Sequence, residues 1–221
     1  MPRTARVIVP EISLHVVQRG HDQRDCFFEE EDYLAYLDYL WEFAVRFGCA
    51  VHAYCLMTNH VHLLVTPRAP DSCALTMKYT AQYYVNRINK RLERSGTLWE
   101  GRFYSCLVTT ERYALACYRY IERNPVEARM VHHVRDYRWS SYALNVSSTA
   151  NAFLTPHPAY AALGTALPAR TSAYAALVDM PLEPKVVEEI RKATRGGYVV
   201  GTPRKPRGRP PAMRKIGTVP I

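Results

Sequence analysis

The chain lacks several features that mark common protein classes. A membrane-spanning helix needs about 18 consecutive apolar residues, and no run in the sequence approaches this length. The segment from Met1 to Pro10 holds no apolar stretch long enough for a signal peptide. Its six cysteines form no Cys-x-x-Cys pair, which predicts reduced thiols in a cytoplasmic protein. A Walker A motif and a Gly-x-Gly-x-x-Gly motif are also missing, so we expect no nucleotide cofactor. Because no membrane-spanning run is present, we also expect no membrane partner.

Acidic residues are missing from Arg191 to the C-terminus, although this stretch holds nine of the 29 Lys and Arg residues. The other basic residues equal the 20 acidic residues in number, so the net charge of +9 belongs to the C-terminal stretch alone. A basic tail on a neutral body indicates a polyanion partner, most often nucleic acid. We therefore expect a cytoplasmic protein that is associated with the nucleoid.

Hydrophobic periodicity predicts alternating strands and helices over the first two thirds of the chain. The expected strands cover residues 12–19, 49–57, 60–66 and 103–109, and the expected helices cover residues 30–47, 72–94 and 111–123. This order predicts an α+β fold in which helices pack against an antiparallel sheet. After a change of composition at Asn151, prolines punctuate a small helical appendage at 151–195, and a Gly-, Pro- and Arg-rich tail at 196–221 is expected to be disordered.

The third predicted strand carries His60 and His62 on either side of Val61. Because side chains alternate along a strand, both imidazoles point to the same face. Neutral imidazole is a common metal ligand, and a stiff strand fixes the geometry of the pair. The alternative is that both histidines are half-buried strand residues with hydrogen-bonding partners in the protein.

The helix at 111–123 offers a group that could react beside this pair. Tyr120 and Asn124 are four residues apart and lie one turn from each other on one helix face, which would bring a phenol and an amide oxygen to the two imidazoles. Tyr118 with Glu122 has the same spacing, and a carboxylate is the better ligand for a hard cation. Tyr113 shares a helix face with Tyr120, so spacing alone leaves these alternatives open.

The second predicted helix mixes basic and aromatic residues. Basic groups that contact phosphates beside aromatic rings that stack on bases suit a single-stranded nucleic acid, although the same pattern fits a solvated helix. The basic residues that we assign to nucleic-acid binding on this helix are Lys78, Arg87, Lys90 and Arg91.

Two further motifs have more than one interpretation. Cys49, His52 and Cys55 resemble part of a zinc site, but regular strand alternation would turn His52 away from both cysteines, which disfavours zinc. In the tail, Arg-Gly-Arg-Pro at 207–210 resembles an AT-hook, which lays arginines into a narrow minor groove, and a nonspecific basic tail is the alternative. The tail residues that we assign to DNA binding are Arg204, Lys205, Arg207 and Arg209.

Several segments together resemble one family. His60-Val61-His62 looks like the HUH motif of single-tyrosine DNA transposases, and residues 56–59, 98–103 and 120–126 resemble the REP-associated tyrosine transposases within that group. The matching segments occur in order over about residues 10–145. The segment at 98–103 includes Arg102, which we add to the nucleic-acid contacts.

The resemblance implies a ferredoxin-like or RRM-like catalytic domain within residues 1–150. It implies cleavage and transfer of single-stranded DNA at palindromic hairpins through a 5′-phosphotyrosine. By motif position, Tyr120 would be the nucleophile, and His60, His62 and Asn124 would bind a divalent metal, Mg²⁺ or Mn²⁺. A catalytically silent nucleic-acid-binding protein and a phosphodiesterase that uses water remain alternatives, and the sequence leaves open whether the protein is a monomer or a homodimer.

Overall fold

A computed structural model describes residues 7–149 and 152–203. The strands are β1 (Ser13–Arg19), β2 (Cys49–Met57), β3 (His60–Pro67) and β4 (Tyr104–Val108). The helices are α1 (Glu30–Phe47), α2 (Ser72–Arg91), α3 (Glu111–Glu122), α4 (Asn124–Glu127), α5 (Tyr142–Asn145), α6 (Pro158–Ala161), α7 (Leu167–Asp179) and α8 (Pro184–Gly196). Within the described ranges, no helix is long and apolar enough to cross a membrane.

The four strands form one antiparallel sheet in the order β2-β3-β1-β4. This is the strand order of a ferredoxin-like βαββαβ fold, so the predicted α+β class with an antiparallel sheet is confirmed. β2 and β3 form the expected hairpin, in which Met57 pairs with His60. In the central pair of strands, Val17 lies opposite His62, and Arg19 lies opposite His60.

Strand alternation gives the sheet two different faces. Leu14 and Val16 of β1 and Leu63 of β3 are fully buried on the face that α1 and α2 cover. His15 of β1 and His62 of β3 point to the opposite face. The face under α1 and α2 thus supplies one apolar core, and the opposite face carries the histidines.

The opposite face is covered by α3 and the C-terminal helices. Tyr118 of α3 is fully buried there and packs with Tyr160 of α6 and Tyr174 of α7. Ile190 of α8 is also fully buried in this second core. The helices that follow residue 151 therefore complete the core on the side of the sheet that carries the histidine pair.

Two details depart from the sequence-based picture. A β-bulge between Val51 and Ala53 shifts the alternation of β2, so that Cys49 and Cys55 belong to cores on opposite faces, not to one face as regular alternation predicted. His52 is buried and bonds Thr155 and Thr66 instead of a metal-binding group.

The first residues of the segment that we expected to be disordered are ordered. Val199 forms a parallel bridge with Leu107 of β4, the Val200 N–H donates to the Leu107 carbonyl, and Val200 is buried. The packed part of the chain thus extends beyond the boundary that we placed at residue 195. The tail positions Arg204, Lys205, Arg207 and Arg209 lie outside the described residues.

Candidate active site

A cleft of about 300 Å³ lies on the sheet face that carries the histidine pair. The floor of the cleft is formed by every second residue of β1, namely His15, Val17 and Arg19. Its walls are formed by α3 and α8. Three arginines and one glutamate give the cleft a positive balance of charge, which suits a phosphate-containing ligand. Its lining residues are His15, Val17, Arg19, His62, Glu100, Tyr104, Tyr120, Arg191, Thr194 and Arg195.

Tyr120 lies at the wall of this cleft, on the last turns of α3. Its ring centroid is 5.6 Å from that of His62 and 5.4 Å from that of His15, and it meets both imidazoles nearly edge-on. The Arg191 side chain reaches it from α8, with its Nε 3.5 Å from the Tyr120 hydroxyl. A cation at this place stabilises negative charge that develops on the phenol oxygen during a reaction.

His62 belongs to a chain of hydrogen bonds that crosses the site. His15 Nε2 lies 3.0 Å from His62 Nδ1, and His15 Nδ1 lies 2.8 Å from the Thr194 hydroxyl. Thr194 in turn donates to the Ile190 carbonyl. Because Thr194 uses its proton for Ile190, it accepts from His15 Nδ1, and His15 Nε2 must then accept from His62 Nδ1. This polarity leaves the lone pair of His62 on Nε2.

His60 has an equivalent arrangement. Its Nδ1 lies 2.6 Å from Asn59 Oδ1, an acceptor, so the lone pair of His60 also stays on Nε2. The His60 and His62 rings have centroids 4.9 Å apart. Two neighbouring imidazoles with free Nε2 atoms and occupied Nδ1 atoms have the form of a metal-binding pair with supporting hydrogen bonds.

The electrostatics of the pair favour the neutral form that binds metals. Burial lowers the pKa of His60 to about 4, and the Arg19 guanidinium opposite it on β1 adds to the effect. Burial holds the pKa of His62 well below its usual range, and His60, His15 and two arginines act in the same direction. Burial lowers the pKa of His15 to about 3. All three imidazoles are therefore neutral at physiological pH.

Asn124 does not line the cleft, but it lies one turn from Tyr120, which does. It begins α4, and its amide nitrogen donates to the Tyr120 carbonyl at 2.6 Å. Its side chain lines a small neighbouring cavity of about 20 Å³ together with Tyr120 and Arg191. Within the described parts of the chain, there is also no group of three His, Cys, Asp or Glu residues that could hold a metal ion.

The alternative pair on α3 has a different place. Tyr118 and Glu122 are both fully buried, away from the cleft. Glu122 accepts hydrogen bonds from Ser141, Asn145 and Tyr174, and thereby ties α5 and α7 to α3. Burial raises the pKa of Glu122 to about 7 against the effect of these three donors.

Tyr113, the other tyrosine on the face of Tyr120, is also engaged elsewhere. Its hydroxyl donates to Glu189 of α8 at 2.6 Å. Of the three α3 tyrosines that the sequence offered as nucleophiles, Tyr120 is the one that lines the cleft.

The residues assigned to nucleic-acid binding fall into groups. Lys78, Arg87 and Lys90 are exposed on α2, and Arg102 is exposed in the loop before β4. Arg91 is different, because its guanidinium pairs with the buried Asp32 at 2.6 Å and with Glu29 at 2.9 Å. Two carboxylates of the α1 N-terminal region thus pair with the partly exposed Arg91, and its assignment to a nucleic-acid contact stays a prediction.

Sequence reasoning missed several residues of the cleft. His15 and Arg19 lie on the same face of β1, and the pairing of β1 with β3 makes His15 a diagonal neighbour of His62. The sequence shows that His15, Val17 and Arg19 alternate along β1. It does not show the register in which β1 pairs with β3. The helix α8 supplies Arg191, Thr194 and Arg195 to the cleft. The sequence analysis assigns the basic residues of this helix to the basic C-terminal stretch and not to a site.

Comparisons with known proteins agree with this picture. The family described as "Transposase IS200 like" matches residues 8–124, which is more than half of the chain. A Haemophilus influenzae protein described as a REP-associated tyrosine transposase is 26% identical over 106 residues, which are 43% of this chain and 60% of that relative. The chain thus spans less than two thirds of the length of this relative.

One solved structure has a similar fold. The structure of a REP-associated tyrosine transposase bound to a REP hairpin superposes with a TM-score of 0.59 at 14% identity, and the match covers 72% of this chain and 93% of that chain. At this identity, the likeness shows the fold alone. The match over residues 8–124 includes the histidine pair, Tyr120 and the sheet that connects them. The resemblance inferred from the His60-Val61-His62 and Tyr120 motifs is confirmed, and the chain belongs to the IS200-like transposase family.

Proposed function

We propose that this protein cuts and rejoins single-stranded DNA at hairpins, with Tyr120 as the nucleophile. The observation that carries the proposal is the position of the Tyr120 hydroxyl in a positively charged cleft, beside His62 and with Arg191 at 3.5 Å. A phenol, a cation and neutral imidazoles in one cleft provide a nucleophile, a stabiliser of negative charge and metal ligands.

The reaction exchanges one phosphoester for another. The Tyr120 oxygen forms a bond to phosphorus, the bond from phosphorus to the 3′-oxygen breaks, and the 5′-phosphate remains attached to the tyrosine. The phenol loses its proton, and the leaving 3′-oxygen gains one. Attack by a 3′-hydroxyl on the phosphotyrosine reverses these changes, so rejoining requires no nucleotide cofactor.

His60 and His62 would hold a divalent metal through their Nε2 atoms, with Asn124 as the third ligand by motif position. The residues fit this role because Asn59 and His15 occupy the two Nδ1 atoms and because burial keeps both rings neutral. When bound, the metal would polarise the phosphate and stabilise its charge. Arg19, Arg191 and Arg195 would bind and orient the DNA backbone in the cleft.

Replacing Tyr120 by Phe tests the proposal, because it removes one oxygen and keeps the ring. The protein is incubated with labelled single-stranded hairpins from the DNA that flanks its own gene, with Mn²⁺ or Mg²⁺, and scored for a protein–DNA adduct that resists denaturation. We expect an adduct with the unchanged protein and none with Tyr120→Phe, while hairpin binding is retained. Tyr118→Phe is the matched control on the same helix.

Each other outcome identifies a different function. Hairpin binding without adduct or cleavage would identify a silent DNA-binding protein, and cleavage without adduct would identify a hydrolase that uses water. A mixture of the Tyr120→Phe protein and the His62→Ala protein tests whether a tyrosine acts with the histidines of its own chain or with those of a second chain. Since Tyr120 lies beside the His62 of its own chain, we expect no recovery of activity in the mixture.

A further inference from the structure

Two exposed side chains on one edge of the cleft take no part in the chemistry proposed above. Tyr104 begins β4 and is 39% exposed, and Glu100 is exposed in the loop that precedes β4. Both side chains line the cleft. Within the described ranges, neither has a hydrogen bond, an ion pair or a contact between rings. Both are therefore free to contact a ligand.

The sheet places Tyr104 in line with the histidine pair. Val17 of β1 is paired with His62 of β3 on one side and with Tyr104 of β4 on the other. Paired residues point to the same face and neighbouring strands are about 4.8 Å apart, so the backbones of His62 and Tyr104 lie about 10 Å apart. Since Tyr120 stands beside His62, a phosphate at Tyr120 and a base at Tyr104 can belong to the same nucleotide or to neighbouring ones.

Tyr104 offers a ring on which such a base can stack. Aromatic side chains that bind a single strand stack with its unstacked bases. The ring of Tyr120 is unsuited to this role, because His15 and His62 both pack against it. Tyr104 is thus the tyrosine of the cleft whose ring is free.

Glu100 indicates which part of the DNA lies beside it. Its N–H donates to the Arg19 carbonyl at 2.8 Å, which holds it on the same side of β1 as Tyr104. Its carboxylate repels phosphates, although three arginines line the same cleft, so it suits an uncharged part of the strand. A carboxylate accepts hydrogen bonds from the amino group of a base, and a base in a single strand exposes the edge that carries this group.

The carboxylate also distinguishes between bases. Adenine, cytosine and guanine carry an exocyclic amino group on the edge that is used in base pairing. Thymine has a carbonyl on each side of its single N–H, and these carbonyls would repel the Glu100 carboxylate. A base that lies between Tyr104 and Glu100 should therefore not be thymine.

We propose that Tyr104 and Glu100 form a subsite for one base of the DNA strand whose backbone lies beside Tyr120. The Tyr104 ring stacks on the base, and the Glu100 carboxylate accepts from its exocyclic amino group. The subsite thereby fixes the position of the strand and disfavours thymine at that position. This inference rests on the proposed function, since it requires a DNA strand in the cleft.

The first test measures binding of the full chain to a hairpin with single-stranded tails, in EDTA so that metal-dependent cleavage does not interfere. Each tail base is removed in turn by an abasic substitution. We expect one position at which loss of the base weakens binding about 5- to 150-fold, the range of base stacking. Tyr104→Leu should bind the intact hairpin more weakly by a similar factor and lose its sensitivity at that position. Tyr104→Phe keeps the ring and should keep the sensitivity.

The second test places each of the four bases at the sensitive position. The unchanged protein should bind the thymine hairpin about 5- to 100-fold more weakly than the best of the other three, the range of one good base contact. Glu100→Gln should lose most of this difference and bind the thymine hairpin more tightly than the unchanged protein does, because an amide can donate to a carbonyl. The exposed Glu42 of α1 gives the control, since Glu42→Gln should keep the full preference.

The outcomes separate this proposal from the function on which it rests. Tight binding with no sensitive position, or a sensitive position that Tyr104→Leu leaves unchanged, would overturn the subsite and leave the proposed function standing. A thymine preference or an undiminished discrimination in Glu100→Gln would overturn the role of the carboxylate. Loss of the sensitivity in Tyr104→Leu without any adduct when Mn²⁺ is added would support the subsite and contradict the proposed chemistry. Failure of every hairpin to bind would overturn both.

Discussion

His15 and His62 lie with their ring planes 4° from parallel and share a hydrogen bond of 3.0 Å from ring edge to ring edge. The bond fixes the tautomer of His62, because His15 is itself oriented by Thr194 of α8. A residue that orients a metal-binding imidazole tunes the affinity for the metal without contacting it.

The first prediction concerns this relationship. His15→Phe removes the acceptor for His62 Nδ1 and should weaken Mn²⁺ binding by about 10- to 100-fold, with a matching rise in the Mn²⁺ concentration needed for adduct formation. Hairpin binding in EDTA should be unchanged. Thr194→Val, which keeps the shape of the side chain, should give a smaller loss in the same direction. Unchanged Mn²⁺ affinity in both variants would contradict a positioning role.

A second prediction concerns the metal itself. His60→Ala and His62→Ala should each lose Mn²⁺ binding and adduct formation together, since each removes one of the two free Nε2 atoms. Imidazole suits Mn²⁺ better than Mg²⁺, so Mn²⁺ should support at least as much cleavage as Mg²⁺. The exposed His132 gives a control, because His132→Ala should behave like the unchanged protein. Undiminished cleavage in excess chelator would show that no metal is required.

The third prediction concerns the buried Glu122, whose pKa in the folded protein is raised from 4.5 to about 7. The folded state holds its proton more tightly than the unfolded chain, so this contribution to stability is complete below pH 4.5 and is lost as the pH rises to 7. The loss corresponds to about 3 kcal/mol. Glu122→Gln stays uncharged and can still bond Ser141, Asn145 and Tyr174, so it should remove this part of the pH dependence.

The measurement for Glu122 is urea unfolding of both proteins between pH 4 and pH 8. The exposed Glu31→Gln is the control, and it should keep the slope of the unchanged protein. Glu122→Gln should also form the adduct at a normal rate, since the carboxylate lies outside the cleft. Loss of the adduct in a folded Glu122→Gln protein would favour the Tyr118 and Glu122 pair as the reacting groups.

A fourth prediction concerns the basic tail. Because Val200 is buried against β4, the truncation has to follow Pro203, which removes six basic residues and leaves the packed chain intact. If about half of them contact phosphate, the salt dependence of hairpin binding should flatten by roughly two to three units. At saturating DNA, cleavage should be nearly normal, since the truncated chain keeps every residue that lines the cleft. An unchanged salt dependence would show that the tail does not contact DNA.

The sequence predicted those features that depend on local patterns. The alternation around Val61 places His60 and His62 on one face, and Thr110 caps α3 through a hydrogen bond from the Tyr113 N–H. The ferredoxin-like fold was implied by the family resemblance and not by a local pattern. In the first two cases, the decisive interactions lie within a few residues along the chain.

Features that depend on distant contacts were not predictable in this way. The role of Arg191 requires α8 to dock beside α3, and the bond between His15 and Thr194 joins residues 179 positions apart. The ion pair between Arg91 and Asp32 likewise joins residues 59 positions apart. A periodic pattern shows which residues share a face, but not which other face will cover it.

The docking of α8 over the cleft also has a consequence for synthesis of the protein. Chains emerge from the ribosome N-terminus first, so the sheet, His60, His62 and Tyr120 are all made before Arg191 and Thr194 exist. Until α8 has emerged, His15 lacks its partner and Tyr120 lacks its neighbouring cation. A nascent chain thus carries an incomplete cleft, and the DNA cleavage that we propose for this cleft would require α8 to have been translated.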